Sequence, residues 1–367
     1  MSIHTAYSIK PLPEAVSELR AALGATNPRL VLLFASADYD PASVSRQVQD
    51  AFPGVCVVGC STAGEIVGGK MLTGSITAVT LGSELISDAA AVVVENVSSG
   101  IQLSQALERL ETHFKTSRAD WDIDHYLGLV MVDGLSGAEE RLMEKLGDST
   151  DVFFIGGSAG DDLKFQATHI YAEGKTFADS AVLVLLRLKR GFEVIKTQSF
   201  RPIGKSLVAT AVDEARRTVL EFDHKPALQA YAEALGISCQ DASDHFFEHP
   251  LGLMVEGEPF VRSPQKADGS EVVFYCQIKQ GMELAILEAT DIVADTRAAI
   301  EARKNGHGDI RGLIEFQCIL RTLQLRQEKR CDQYGSIFAG IPMAGFSTYG
   351  EAYLGHLNQT STMVLFR

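Results

Sequence analysis

Short apolar runs and Gly-rich stretches follow one another along this chain in an order that occurs three times. The first occurrence has an apolar run at residues 30–34, a polar loop, a helix that begins at Pro41, a second apolar run at 55–58 and a Gly-rich stretch at 59–65. Apolar runs of this length between turn residues are typical of buried strands, and Pro suits the first turn of a helix. The pattern predicts strand, helix, strand, Gly-rich loop and a closing strand.

The second and third occurrences repeat this order. Apolar runs and a Gly-rich stretch follow one another at residues 127–132, 152–155 and 156–161, and again at 313–318, 337–342 and 345–351. In each, the helix provides the dozen or more residues that a parallel crossover needs. We therefore predict an α/β fold (mixed α+β) made of repeated βαβ-plus-strand units in two related sheet domains with Gly-rich loops.

The pattern changes between the second and third occurrences. Residues 192–200 and 207–212 have the character of antiparallel strands, and residues 227–235 predict a helix that ends at a glycine. We place a domain boundary in this region and predict an N-terminal domain of residues 1–210 and a C-terminal domain of residues 211–367.

Composition argues against some classes of function but does not indicate a specific one. Hydrophobic residues make up 46% of the chain and the net charge is -14. This acidic chain has no basic run, which argues against nucleic acid and anionic membranes as partners. Six cysteines without a CxxC pair indicate reduced thiols, and no apolar run reaches the roughly 20 residues of a membrane span. With no signal-like N-terminus, we expect a cytoplasmic protein.

The Gly-rich stretches themselves have two interpretations. They can cradle a ligand at the ends of strands, or they can be tight turns that close each repeat. They lack the GxGxxG spacing and the lysine of nucleotide-binding loops. Ser61, Ser158 and Ser347 lie in them, but a serine nucleophile needs a GxSxG turn leading into a helix, and a strand is expected here. We predict that the protein is not an enzyme.

Several landmarks occur in one order over nearly the whole chain. They are residues 59–65, 154–161, 223–227, 249–252, 318–321, 345–351 and 356–360. As an ordered set they resemble the FIST sensory family, with an N-terminal and a C-terminal FIST domain. The resemblance implies an intracellular ligand sensor.

A subset of that family, which the chain resembles in having no attached output module, consists of stand-alone nitric-oxide-sensing haem proteins. The resemblance therefore implies haem b as cofactor, nitric oxide as ligand, and a sensor histidine kinase or a diguanylate cyclase/phosphodiesterase as partner. The alternative is a sensor of a small metabolite such as an amino acid, without haem. A homodimer is compatible with either.

An axial haem ligand is most often histidine, set in an apolar wall. Residues 244–254 carry two histidines four positions apart, which share a face in either a strand or a helix, and Pro250 favours the extended form. Arginine suits a haem propionate or a small carboxylate. The candidate metal ligands are His245 and His249, and the candidate cofactor-binding residues are His245, Phe246, Phe247, His249, Arg262 and Arg321. An ordinary structural role for each histidine is the competing interpretation.

Overall fold

A computed structural model of the protein describes residues 3–307 and 309–367. It contains two compact units: unit 1 is Met1–Lys196, Arg297–His356 and Ser361–Arg367, and unit 2 is Thr197–Thr296 and Leu357–Thr360. The predicted mixed α/β class with repeated units is confirmed, since three repeats occur and lie mainly in unit 1. The compact units alternate along the chain and do not correspond to one N-terminal and one C-terminal segment. The predicted boundary at residue 210 therefore remains a prediction.

The first repeat, which we call copy 1, alternates strands with helices before ending in four strands. Its elements are β1 (Ile3–Ser8), α1 (Leu12–Leu23), β2 (Pro28–Ser36), α2 (Pro41–Ala51), β3 (Cys56–Thr62), β4 (Glu65–Val67), β5 (Lys70–Leu72) and β6 (Ile76–Gly82). Asp40 caps α2 by accepting a 2.8 Å hydrogen bond from the Ser43 N–H, and Pro41 occupies the first turn. Helix α2 connects the parallel strands β2 and β3, as predicted.

Copy 2 has the same order of elements. They are β7 (Ile86–Glu95), α3 (Leu103–Phe114), β8 (Tyr126–Val132), α4 (Glu139–Ser149), β9 (Phe154–Ser158), β10 (Ile170–Ala172), β11 (Lys175–Phe177) and β12 (Ser180–Leu188). Strands β8 and β9 are parallel and are joined by α4. The helix and both strands therefore confirm the repeat predicted from the apolar runs.

The next strand, β13 (Phe192–Gln198), is followed by the antiparallel sheet of unit 2. The elements of this segment are β14 (Phe200–Asp213), β15 (Thr218–Phe222), β16 (Lys225–Pro226), α5 (Ala227–Leu235), β17 (Leu251–Val255), β18 (Glu258–Arg262), β19 (Pro264–Asp268), β20 (Glu271–Phe274) and β21 (Glu283–Ala289). The strands pair in the order β18-β17-β21-β14-β15-β20-β19. Helix α5 ends at Gly236, which is left-handed with a φ of 75°.

Copy 3 begins with β13 and resumes after this segment. Its remaining elements are α6 (Ile292–His307), β22 (Gly312–Cys318), α7 (Ile319–Gln327), α8 (Cys331–Gly335), β23 (Met343–Thr348), β24 (Glu351–Tyr353), β25 (His356–Leu357) and β26 (Thr360–Phe366). The predicted strand at 337–342 is wrong, because a 3-10 helix occupies Ser336–Phe338 and the strand starts at Met343. The Gly-rich stretch of this copy thus lies largely within β23.

The three sheets of unit 1 are built by exchange between copies. Their strand orders are β1-β6-β2-β3-β10-β11, β7-β12-β8-β9-β24-β25 and β13-β26-β22-β23-β4-β5, which we call sheets 1, 2 and 3. The hairpin β4–β5 of copy 1 completes sheet 3, β10–β11 of copy 2 completes sheet 1, and β24–β25 of copy 3 completes sheet 2. Each Gly-rich stretch is therefore a crossing from one sheet to another.

One face of every sheet contributes to a common apolar core in unit 1. The ring centroids of Phe34 and Phe346 lie 4.8 Å apart, and those of Phe316 and Phe346 lie 5.7 Å apart. The opposite face of sheet 1 packs against α1 and α2, and that of sheet 2 against α3 and α4, through apolar side chains in both cases. These layers supply the hydrophobic stabilisation of the fold.

The three crossings hydrogen-bond to one another in a closed cycle. Gly160 N donates to Ser61 O at 2.9 Å, Ala63 N donates to Ser347 O at 3.1 Å, and Ser158 N donates to Gly350 O at 2.8 Å. A Cβ on Gly160 would lie 2.7 Å from the backbone nitrogen of Ala63. The Gly-rich stretches thus join the three copies through their backbone groups, which is the structural interpretation of these motifs.

Candidate functional site

The outer face of sheet 3 differs from those of sheets 1 and 2. Equivalent residues in the three copies are identified from three glycines, Gly59, Gly156 and Gly345. A Cβ atom added to each would meet a carbonyl oxygen of the neighbouring strand, and these oxygens belong to Leu33, Val130 and Glu315. Two residues further along these strands lie Ala35, Val132 and Gln317. Copy 3 therefore has Glu315 and Gln317, both fully buried, where copies 1 and 2 have buried apolar side chains.

Helices α7 and α8 and strands β23 and β26 add further polar side chains to this face. We call the whole set the polar layer: Glu315, Gln317, Arg321, Thr322, Tyr334, Ser347 and Ser361. Each member is at most 1% exposed. Buried polar side chains require hydrogen-bond partners, since an unpaired one costs free energy that apolar side chains do not.

Glu315 is the acidic centre of the polar layer. Its Oε1 accepts hydrogen bonds from the Tyr334 hydroxyl and from Ser361 Oγ, the latter at 2.6 Å. Its Oε2 has no hydrogen-bond partner among the described residues. Burial raises the pKa of the Glu315 carboxyl, and the nearby Arg321 guanidinium acts in the opposite direction.

Gln317 begins a second chain of hydrogen bonds within the layer. Its Nε2 donates to Thr322 Oγ1 at 3.0 Å, and that hydroxyl shares a 2.8 Å hydrogen bond with Ser347 Oγ. The Gln317 Oε1 atom has no partner among residues 3–307 and 309–367. The layer therefore contains two buried acceptor atoms without a hydrogen-bond partner in the described part of the chain, one on each of two side chains that share a strand face.

The crossing of copy 1 lies directly beside the polar layer. Ser347 N donates to Gly64 O at 2.7 Å, and Arg326 Nη2 lies 3.5 Å from Leu72 O, to which it donates. Gly64 leads into β4, so a change in the position of Ser347 would be transmitted to the hairpin β4–β5.

That hairpin begins with a second buried acid. Glu65 accepts hydrogen bonds from Thr62 Oγ1 and from both the backbone N–H and the hydroxyl of Ser75, at 3.2 and 2.5 Å. These partners all belong to copy 1, like Glu65 itself. Burial raises the pKa of Glu65 to about 7, against the lowering effect of these hydrogen bonds.

The histidine segment belongs to unit 2. The extended conformation expected at His249 is wrong for this segment, because Ala242–His245 is a 3-10 helix and residues 246–248 form a turn. His249 N donates to His245 O at 2.8 Å, so one helical turn separates the two residues. This turn brings their ring centroids to 6.0 Å from each other.

His249 has a defined orientation. Its Nδ1 lies 3.0 Å from Leu287 O, an acceptor, so Nδ1 donates the hydrogen in this contact. Phe246 is buried in the apolar core of unit 2, where its ring lies 5.2 Å from that of Tyr231. The neighbouring Phe247 is half-buried.

The two candidate arginines belong to different units. Arg262 ends β18, opposite Leu251 of β17 in unit 2, and Arg321 lies in the polar layer of unit 1. Unit 2 therefore holds five of the six candidate cofactor-binding residues. No group of three or more His, Cys, Asp or Glu side chains within the described part of the chain is arranged to hold a metal ion.

Sequence reasoning missed Glu315 and Gln317. The available signal was the alternation Glu315-Phe316-Gln317 inside a run assigned to a buried strand, at positions where the first two copies are apolar.

No helix among the described residues is both long and apolar enough to cross a bilayer.

Comparison with known proteins agrees with the ordered landmarks. The FIST N domain model matches residues 29–225 and the FIST C domain model matches residues 227–353. The uncharacterized protein MJ1623 of Methanocaldococcus jannaschii is 23% identical over 264 residues, which are 68% of this chain and 51% of that protein. The chain thus spans about half the length of this relative.

A solved structure, cyanuric acid hydrolase from A. caulinodans, aligns over 100% of this chain and 99% of its own at 10% identity. Its TM-score of 0.35 carries no conclusion about fold or activity. The two domain models, by contrast, together match most of the sequence. The chain therefore belongs to the FIST family.

Proposed function

We propose that this FIST protein is a ligand sensor and that the polar layer of unit 1 is its ligand-binding site. FIST domains are sensory domains that bind small ligands and are generally non-enzymatic. One observation carries the proposal: Glu315 and Gln317 are buried at positions where both other copies bury apolar side chains. Apolar side chains at these positions would form the same fold without the free-energy cost of burying polar groups, so the polar side chains indicate a function.

The contacts around the layer support a route for the signal. A ligand that engages Gln317 also engages Thr322 and Ser347, because the three side chains are hydrogen-bonded in series. Ser347 is bonded through its backbone to the crossing of copy 1. We propose that ligand binding biases the position of this crossing and that a cytoplasmic sensor histidine kinase or diguanylate cyclase/phosphodiesterase reads the change.

Thermal-shift screening of small polar molecules tests the location of the site. A ligand that binds only the folded state raises the melting temperature, and the rise should disappear in Gln317→Met but persist in the matched exposed variant Gln327→Met. A rise that survives in both variants would place the ligand elsewhere and refute the proposal.

Haem b bound in unit 2 is a second candidate, in which the protein would sense nitric oxide. The orientation of His249 favours it, since histidines that ligate metals usually donate their other ring N–H to a carbonyl or carboxylate. His249 would be the axial ligand, with His245 beside it, and Arg262 and Phe247 would belong to the surrounding wall. Phe246 packs against Tyr231 in the apolar core of unit 2 and would not belong to that wall. Haem would supply the iron that binds the gas.

An absorption spectrum of the purified protein, before and after addition of haemin, tests this second candidate. A Soret band that is lost in His249→Ala and kept in His224→Ala, an exposed histidine in a turn, would support it. A colourless protein that takes up no haemin would refute it without bearing on the polar layer.

A further inference from the structure

We infer that the ligand of the polar layer is a neutral molecule that presents an NH2 group, such as a primary carboxamide or a urea, to Glu315 Oε2 and Gln317 Oε1. This inference rests on the proposed function of the layer, and it adds the chemical class of the ligand.

The hydrogen-bonding pattern indicates a donor. Oε1 of Glu315 is occupied by two hydroxyl donors, and Nε2 of Gln317 is occupied by Thr322. The atoms of the layer without a hydrogen-bond partner among the described residues are two acceptors, Glu315 Oε2 and Gln317 Oε1, and the Nε atom of Arg321, a residue that has other partners in the protein. A buried acceptor that stays unpaired is unfavourable, so the complementary ligand supplies N–H groups to Glu315 Oε2 and Gln317 Oε1.

The positions of Glu315 and Gln317 on one strand face suit a single NH2 group. Residues two apart on a strand lie about 6.7 Å apart at their Cα atoms, and the side chains of Glu315 and Gln317 leave the same face. An NH2 group donates in two directions, and with hydrogen bonds of about 2.9 Å its two acceptors lie about 5 Å apart. Small side-chain rotations bridge the difference.

The charges in the layer favour a neutral ligand. Arg321 and Glu315 are both at most 1% exposed and interact electrostatically. An ammonium ligand would add a second buried cation beside Arg321, and a carboxylate would compete with the partners that Arg321 already has in the protein. An uncompensated buried charge is more costly than a neutral polar group.

Titration with small probe molecules tests the class directly. Acetamide and urea are the donors, acetone is the matched molecule without N–H groups, and methylammonium and acetate are the charged comparisons. The probes are used at millimolar concentration, and binding is followed by 15N chemical-shift changes of the Gln317 side-chain amide in the full chain. We expect acetamide and urea to bind at least tenfold more tightly than acetone, methylammonium or acetate.

Two variants locate the effect. The acetamide affinity, followed in the variants through the chemical shift of the Ser347 backbone amide, should fall at least tenfold in Gln317→Met and stay unchanged in Gln327→Met, where the same substitution is made on the exposed end of α7. Far-ultraviolet circular dichroism of each variant checks that it is folded, and Glu315→Gln, which keeps the side-chain shape, gives an independent loss of affinity if Gln317→Met does not fold.

The outcomes separate the inference from the proposed function. If acetone or a charged probe shifts the Gln317 amide as strongly as acetamide does, the layer binds ligands but the NH2 class is wrong. If no polar probe shifts it and a crystal soaked in acetamide holds only water at Glu315 and Gln317, both the inference and the proposed site are wrong.

Discussion

Glu65 should make the protein less stable as the pH rises through neutrality. Its carboxyl group is fully buried at the crossing from sheet 1 to sheet 3. Burial raises its pKa to about 7, from the ordinary value of 4.5 that it regains in the unfolded chain. The folded state therefore holds the Glu65 proton more tightly than the unfolded state does.

The sign and size of the effect follow from proton linkage. A carboxyl whose pKa is raised on folding contributes stability that is fully present below pH 4.5 and is lost as the pH rises through about 7. A pKa difference of about 2.5, at 1.36 kcal/mol for each pKa unit, corresponds to about 3 kcal/mol. Above neutrality the ionised Glu65 still has Thr62 and Ser75 as donors, but its buried charge is unfavourable.

Urea unfolding of wild type and Glu65→Gln at several pH values between 5 and 8 measures this contribution. The amide keeps the shape of the carboxyl group and cannot ionise. Relative to wild type, the free energy of unfolding of Glu65→Gln should rise by about 2.5 kcal/mol from pH 5 to pH 8. Glu14→Gln, an exposed acid in the first turn of α1, should run parallel to wild type. Parallel curves for wild type and Glu65→Gln would refute the reasoning.

The remaining predictions concern the crossings and the polar layer. Gly160→Ala should lower the melting temperature strongly, because its Cβ would lie 2.7 Å from a backbone nitrogen of the neighbouring crossing. Gly100→Ala should change the melting temperature little, because its Cβ would meet no heavy atom within 4 Å. Equal melting temperatures for the two variants would contradict the role of the crossings. Arg321→Met should lower the free energy of unfolding by about 3–5 kcal/mol, since it leaves the partners of this buried guanidinium without their donor. A loss no larger than that of the exposed Arg29→Met would show that the contacts of Arg321 are unimportant.

The candidate sites were predictable to different degrees. Arg321 was singled out from the sequence as a ligand-binding arginine, and it does lie in a buried polar cluster, although the ligand it contacts stays a prediction. The histidine pair was predicted to share a face and does so across one turn, but its backbone is not extended. Glu315 and Gln317 were not identified, because an apolar strand pattern does not reveal which face meets the core and which face meets α7 and α8.

Local pattern and composition by themselves determined the repeat, the α/β class, the βαβ order of each copy and the dissimilar central segment. These features depend on the spacing of apolar residues and on turn residues close together in the sequence, so they can be read from the sequence directly. Only the tertiary structure decided that each copy's hairpin completes another copy's sheet, that three crossings close into one cycle, and that the outer face of sheet 3 is polar. Strand pairing across copies depends on which sheet edges meet in space, and the meaning of a buried polar residue depends on the partners it finds there.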